Sequence, residues 1–327
     1  MVKIACFGEN CVDINYIDEM IMPGGNCVNV AVYCRELGHE AAYIGTIADD
    51  AYGDLIKNSM MKYGIDISMV KTVHGETGVS ACRLINGDRT LTMENNGGVI
   101  YTDPICVDDE YIDYFSHFDI IHANYWAYLD NELIKIKKRL DVPISYDFSQ
   151  AYDNDKIRYA ASFADYILFS GKKELDIPQN LKYVEYAVDE CNVKIAIMTF
   201  GTVGAYVYTG IKNDDGTPKM FFKEPYNAET PAIDTTGCGD SWISGFLTTY
   251  IDGLVKHEFH TDKYVDYDSE NEDKFLTNEN TGDYINHLIE YSMCVGNMRA
   301  RATSQIRGAY GGGLNFEEYK MKYNKDF

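Results

Sequence analysis

No stretch of this 327-residue chain approaches ~18 uncharged apolar residues, so no segment reads as a transmembrane helix. Bases are scarce: 29 Lys and Arg stand against 51 Asp and Glu, a formal charge of −22. Such a chain repels nucleic acid and anionic membrane, and no basic stripe offsets it. The nine cysteines include no C-x-x-C pair. An odd count without ligand spacing predicts reduced thiols and a cytoplasmic protein. The pattern G-x-x-x-x-G-K-[ST] is missing, which excludes a P-loop enzyme. No G-x-G-x-x-G follows the first strand, which argues against an NAD enzyme on a Rossmann fold. The opening MVKIACFG lacks a signal-peptide cleavage site and reads as a β-strand.

What is present has the balance of a globular protein, with 46% apolar and 24% charged residues. Strands are predicted at 2–7, 43–47, 119–123, 142–148, 165–169 and 193–200. Helices are predicted at 26–37, 50–63, 130–140, 154–163, 178–191, 238–251 and 283–302. This alternation predicts an α/β fold, a mainly parallel sheet covered on both faces. Residues 77–95 break the alternation. Two strand-like runs there flank Asn86-Gly87-Asp88, a hairpin signal, and are placed outside the main sheet. A second hairpin is expected at about 204–225, turning at Asp214-Asp215-Gly216. Residues 258–283 carry nine acids against two bases and read as a solvated insertion.

The stretch Asp234-Thr-Thr-Gly-Cys-Gly-Asp240 opens a helix whose stripe is Ile243, Phe246, Leu247, Tyr250 and Ile251. Glycines at a helix start let backbone N–H groups converge, and the helix dipole makes that point an anion site. A carboxylate beside an anion site repels the anion, but it suits a base that takes a proton from an attacking hydroxyl. Alone, the motif also reads as a helix whose first-turn acid steadies the dipole. Gly24-Gly25-Asn26-Cys-Val-Asn29 precedes another helix. Its glycines permit close approach to a ligand, and Asn29 offers a donor and an acceptor to a sugar hydroxyl. Asp13, just past the first strand, can accept from two vicinal hydroxyls. His122 follows an apolar run and reads as a buried residue.

Together these motifs resemble the ribokinase-like (PfkB) family of carbohydrate kinases, over essentially the whole chain. The resemblance implies one doubly wound kinase domain over 1–327, with a small β-sheet lid from about 10–23 and 77–100. It implies an ATP:sugar phosphotransferase using Mg²⁺, with K⁺ as a second candidate ion. By position, Asp240 matches the base, and Gly237, Cys238 and Gly239 the anion hole. Cys238 stands where the family usually has Ala, so it is not read as a nucleophile. Asp13, Gly25 and Asn29 match the sugar-binding positions, and Asp234 the position linked to a monovalent cation. Thr199-Phe-Gly201-Thr-Val-Gly204 matches the nucleotide loop.

Two motifs depart from the family. Its N-x-x-E, whose Glu organises Mg²⁺ through water, becomes Ser170-Gly-Lys-Lys-Glu174, with Ser for Asn and the Glu one place late. Its D-x-N becomes Asp147-Phe-Ser149. Segments such as Gly8-Glu-Asn-Cys-Val-Asp-Ile14 and Asp119-Ile-Ile-His-Ala123 are similar to the fructoselysine 6-kinase branch, which implies an Amadori compound as acceptor. Other acceptors remain open: fructose, ribose, a keto-deoxy sugar acid or a nucleoside. Asp88, Glu94 and Asp103 are candidate contacts for a cationic amine. A non-catalytic sensor on the same fold would have no need of Asp240. The lid's sheet edge offers a route to a homodimer.

Overall fold

The computed structural model describes residues 1–226, 229–256 and 281–324. An eight-stranded sheet runs through the centre. Its order is Phe221–Lys223, Ala205–Tyr208, Ile195–Thr199, Tyr166–Ser170, Ile144–Asp147, Ile120–Asn124, Lys3–Phe7, Glu40–Ile44. The last six strands of that order are mutually parallel, and the hairpin of the first two extends the sheet antiparallel.

Strand residues alternate between two cores. Ile4, Cys6, Leu168 and Ile197 face one, while Ala5, Phe7, Ile167 and Met198 face the other. Strands buried on both sides read as continuous apolar runs, because side chains on successive residues point to opposite faces. The first core is closed by the helices Asn26–Glu36, Ala51–Lys62, Cys238–Lys256 and Thr281–Thr303, and the second by Asp130–Lys137, Asn154–Ala160 and Ile177–Glu185. The stripe expected on the helix Cys238–Lys256 is buried in full.

Chain order reverses at one place. The strand Lys3–Phe7 lies between Glu40–Ile44 on one side and Ile120–Asn124 on the other. In open α/β sheets, ligands bind at the carboxyl ends of the strands beside such a reversal.

Residues 77–95 lie outside this sheet. Val79–Ile85 and Asp88–Met93 form a hairpin in a second, five-stranded sheet with Cys11–Asn15, Met20–Gly24 and Leu314–Asn315. Asn86 and Gly87 both have positive φ, 53° and 81°, the conformation an Asn-Gly hairpin turn requires. The short C-terminal strand was not expected, since two residues after a glycine run carry no periodic signal.

The strand predicted at 43–47 is corrected. It breaks at Gly45, and Thr46–Ala48 pairs instead with Lys71–Val73 in a separate ribbon. A Cβ at Gly45 would collide with the Tyr43 hydroxyl, so the bend needs glycine. The acidic insertion at 258–283 falls almost wholly outside the described residues. Among the described residues, no helix is long and apolar enough to cross a membrane. All nine cysteines are free thiols.

Candidate active site

Two helices bring their N-termini together at the reversal point. The helix Asn26–Glu36 packs along Cys238–Lys256. Asp240, in the first turn of the latter, is held by the former: Asn26 Nδ2 donates to its Oδ1 at 2.8 Å, and Asn29 Nδ2 to its Oδ2 at 2.7 Å. These two charge-assisted bonds orient the carboxylate at the start of its helix.

Why the chain enters a helix at Asn26 is visible locally. Gly25 has φ 101°, and the helix has no side-chain cap there. The Asn26 N–H is taken instead by the buried Glu9 carboxylate. Glu9 also accepts from Asn95 Nδ2 at 2.9 Å and Asn124 Nδ2 at 2.6 Å. It thus ties the central sheet, the small sheet and the helix start together. Burial raises its pKa, against the pull of these donors.

Asn26 is the hub of a second set of bonds. The same Nδ2 donates to Asp147 Oδ2 at 3.0 Å, and its Oδ1 lies 2.9 Å from His122 Nε2. His122 is fully buried, with Nδ1 3.1 Å from Ser145 Oγ. Burial pushes its pKa down to about 3, so it is neutral, and Nε2 carries the proton that Asn26 Oδ1 accepts.

Asp147 is pushed up to about 7, first by burial and also by the charges of Asp240 and Glu9. Its folded-state pKa lies above the ordinary 3.8, so the folded chain binds this proton more tightly than the unfolded one. The stability tied to it is therefore present at low pH and lost as pH rises towards 7. In the ligand-free protein, Asp147→Asn should remove that loss. Whatever constant offset the variant carries, its stability should fall by roughly 2–3 kcal/mol less than wild type between pH 5 and pH 8. Denaturant titrations at both pH values check this, and parallel shifts would contradict it.

Asp13 is buried on the strand Cys11–Asn15 and accepts from the Ser80 hydroxyl of the neighbouring strand. Its Oδ2 and Asn29 Oδ1 both lie within 4 Å of the point where a Cβ on Gly24 would stand. Asn29 Oδ1 is buried with no hydrogen-bond partner. A buried amide oxygen left unpaired costs free energy that a ligand hydroxyl would recover.

At the glycine turn, Gly237 has φ 74° and packs on Tyr33 and Ala309, while the Cα of Gly239 faces open space. Cys238 N donates to Thr235 O at 3.2 Å, and first-turn N–H groups have no carbonyl one turn back. The Cys238 thiol is pushed up to about 12, by burial first and then by Asp234 and Asp240. It stays protonated.

Asp234 is buried and accepts from Thr236 N and Gly308 N, each at 2.8 Å, so it shapes the loop that leads into the helix. Thr199, Gly201 and Gly204 form a tight turn at the end of the strand Ile195–Thr199, closed by Phe200 N to Gly204 O at 2.8 Å. A Cβ at Gly201 would meet nothing within 4 Å, so that side of the turn is open to a ligand.

Glu174, on the loop after the strand Tyr166–Ser170, is exposed. Asp103 is engaged by Lys71 at 2.5 Å, and Glu94 is exposed.

A family model described as pfkB family carbohydrate kinase matches residues 3–258. This chain belongs to that family. Among curated relatives, a fructosamine kinase from Bacillus subtilis is 30% identical over 76% of this chain and 84% of its own length. Fructoselysine 6-kinase from Escherichia coli is 29% identical over 78% of this chain and 92% of its own. The fold is ribokinase-like: ribokinase from Thermotoga maritima superposes with a TM-score of 0.65 at 18% identity, over 99% of this chain and 100% of that one.

Sequence reasoning undervalued four contributors to this pfkB site: Glu9, Asn26, Asn124 and Asp147. Glu9, Asn124 and Asp147 stand at the carboxyl end of a parallel strand or just past it, and Asn26 opens the helix after the antiparallel strand Met20–Gly24. Polar residues closing an apolar strand on the side of the glycine helices were the available signal.

Proposed function

We propose that this pfkB-family chain transfers the γ-phosphate of MgATP to the 6-hydroxyl of a fructosamine, with fructoselysine as the acceptor. The observation that carries the transfer is Asp240, held between two amide donors at the N-terminus of a glycine-led helix. The acceptor class is supported by the two relatives named above and by charge. A sugar bearing a protonated amine suits a site that gathers Glu9, Asp13, Asp147 and Asp240.

In this reading Asp13 and Asn29 hold sugar hydroxyls, and the close backbone turn at Gly25 admits the ring. Asp240 accepts the proton of the attacking hydroxyl. The glycine turn at Gly237, Cys238 and Gly239 holds the phosphates, with the Gly237 and Gly239 N–H groups as donors, and offsets charge as it moves towards the leaving oxygen. The turn Thr199–Gly204 carries the nucleotide. The small sheet closes over the sugar as a lid and excludes water, within one kinase domain.

A monovalent cation fits beside the glycine turn. The buried Thr236 hydroxyl has no partner, and the Asp234 carboxylate lies in the same loop, an oxygen-only donor set. Such an ion would be held by Asp234 and Thr236, and it would add positive charge behind the phosphate-binding turn.

The test is ATP consumption against fructoselysine, free fructose and ribose, compared by kcat/KM. Fructoselysine should lead. A higher value for fructose or ribose would end the acceptor assignment while leaving the kinase. Asp13→Ala should raise the sugar KM by roughly ten- to a hundredfold, the loss of one charge-assisted bond. An unchanged KM would remove Asp13 from the site.

A further inference from the structure

Two adjacent lysines follow the strand Tyr166–Ser170, and they differ in what they do. Lys172 is locked: its Nζ donates to Tyr152 O at 2.7 Å and lies 4.3 Å from the centre of the Tyr152 ring. Lys173 reaches the other way. Its side chain is 86% exposed, and its Nζ lies 3.8 Å from Asp88 Oδ2.

Asp88 belongs to the hairpin tip of the small sheet, and that tip rests on the loop feeding the glycine helix. Thr235 N donates to Gly87 O at 3.0 Å, and Thr235 Oγ1 to Asp88 Oδ1 at 3.3 Å. A Cβ at Gly87 would collide with the Ala232 carbonyl, so the approach needs glycine. On its other flank, the loop of Lys173 adjoins the nucleotide turn. Ser170 pairs in register with Thr199, and Gly171 packs against the Phe200 ring.

We propose that Lys173 is a phosphate-contacting residue, poised by the hairpin tip between the nucleotide turn and the glycine turn. The inference rests on the kinase reading and assigns it a cation. Phosphoryl transfer is catalysed largely by positioning and by positive charge, yet the hydrogen-bonded centre described above is built from carboxylates and amides. An exposed pair such as Lys173–Asp88 is worth little in water. The ammonium therefore leaves Asp88 readily for a phosphate oxygen. Lys173 also occupies the fourth position of the Ser170-Gly-Lys-Lys run, where the family's motif carries its Glu, so the charge at that point is reversed.

The test titrates ATP and adenosine separately into wild type, Lys173→Ala and Lys173→Arg, followed by calorimetry. Lys173→Ala should weaken ATP by roughly ten- to a hundredfold, the loss of a charge-assisted contact, and leave adenosine unchanged. Lys173→Arg should keep most of the ATP affinity. Equal ATP affinity in Lys173→Ala and wild type would overturn the assignment, as would adenosine weakening in step with ATP. A wild-type chain that binds no ATP would overturn the kinase reading and this assignment with it.

Discussion

Asp240→Asn is expected to lower kcat by ~10²–10⁴-fold while nucleotide affinity holds or tightens. An alcohol is too weak an acid to ionise before attack. Its proton becomes transferable only as the O–P bond forms, so the base acts late. Asn has the size of Asp but cannot take that proton. It also removes one negative charge beside the phosphates, which favours ATP. The change has a structural side. Both Asp240 oxygens accept from amide nitrogens, Asn26 Nδ2 and Asn29 Nδ2. One of those bonds is lost in the variant, at ~1 kcal/mol or somewhat more. Folding is therefore checked alongside kcat and ATP affinity. Near wild-type turnover would contradict the base assignment. Lost ATP binding in a folded variant would point to a structural role.

Gly25→Ala is expected to cost roughly 3 kcal/mol of stability. Gly25 combines φ 101° with a position where a Cβ would stand 2.6 Å from Asn10 Cα and 3.0 Å from Cys11 N. Those atoms are backbone, so no rotamer change relieves the conflict, and either the strand or the helix start must move. Asn26 and Asn29 would move with it, and with them the hold on Asp240. The comparison that isolates this cause is Gly216→Ala. Gly216 has φ 82° but nothing within 4 Å of an added methyl, so its cost should stay near ~1 kcal/mol. Denaturant midpoints for the two variants measure the difference. Equal losses would mean that close backbone packing at Gly25 contributes nothing.

The central sheet was legible because its strands are short apolar runs with helix-period segments between them, and each buries both faces. Strand ends shifted by a residue or two. The break at Gly45 was hidden because YIGTI reads as one apolar run, and only the change of pairing partner, from Lys3–Phe7 to Lys71–Val73, makes it two. The hairpin at 77–95 was legible from its two strand-like runs and the Asn86-Gly87 between them, a pair suited to positive φ. The docking of its tip on Thr235 was not, because contacts between residues 147 positions apart leave no local pattern.

The site divided in the same way. Asp240, Gly237, Asn29 and Asp13 sit in motifs whose glycines and acids have a chemical reason. Asn26 was quoted within its motif without a role, yet it joins Asp240, Asp147 and His122. One Asn beside two glycines looks like turn chemistry. Its three partners come from separate strands and a distant helix, and only the folded sheet aligns them.

Transfer of labelled phosphate tests the account most directly. The chain is incubated with fructoselysine and ATP labelled at the γ-phosphate, and the products are separated and read by NMR. The account predicts ADP and labelled fructoselysine 6-phosphate in equal amounts, with Asp240→Asn forming both ~10²–10⁴-fold more slowly. Label that stays on ATP, or that leaves as inorganic phosphate without appearing on any sugar, would contradict it.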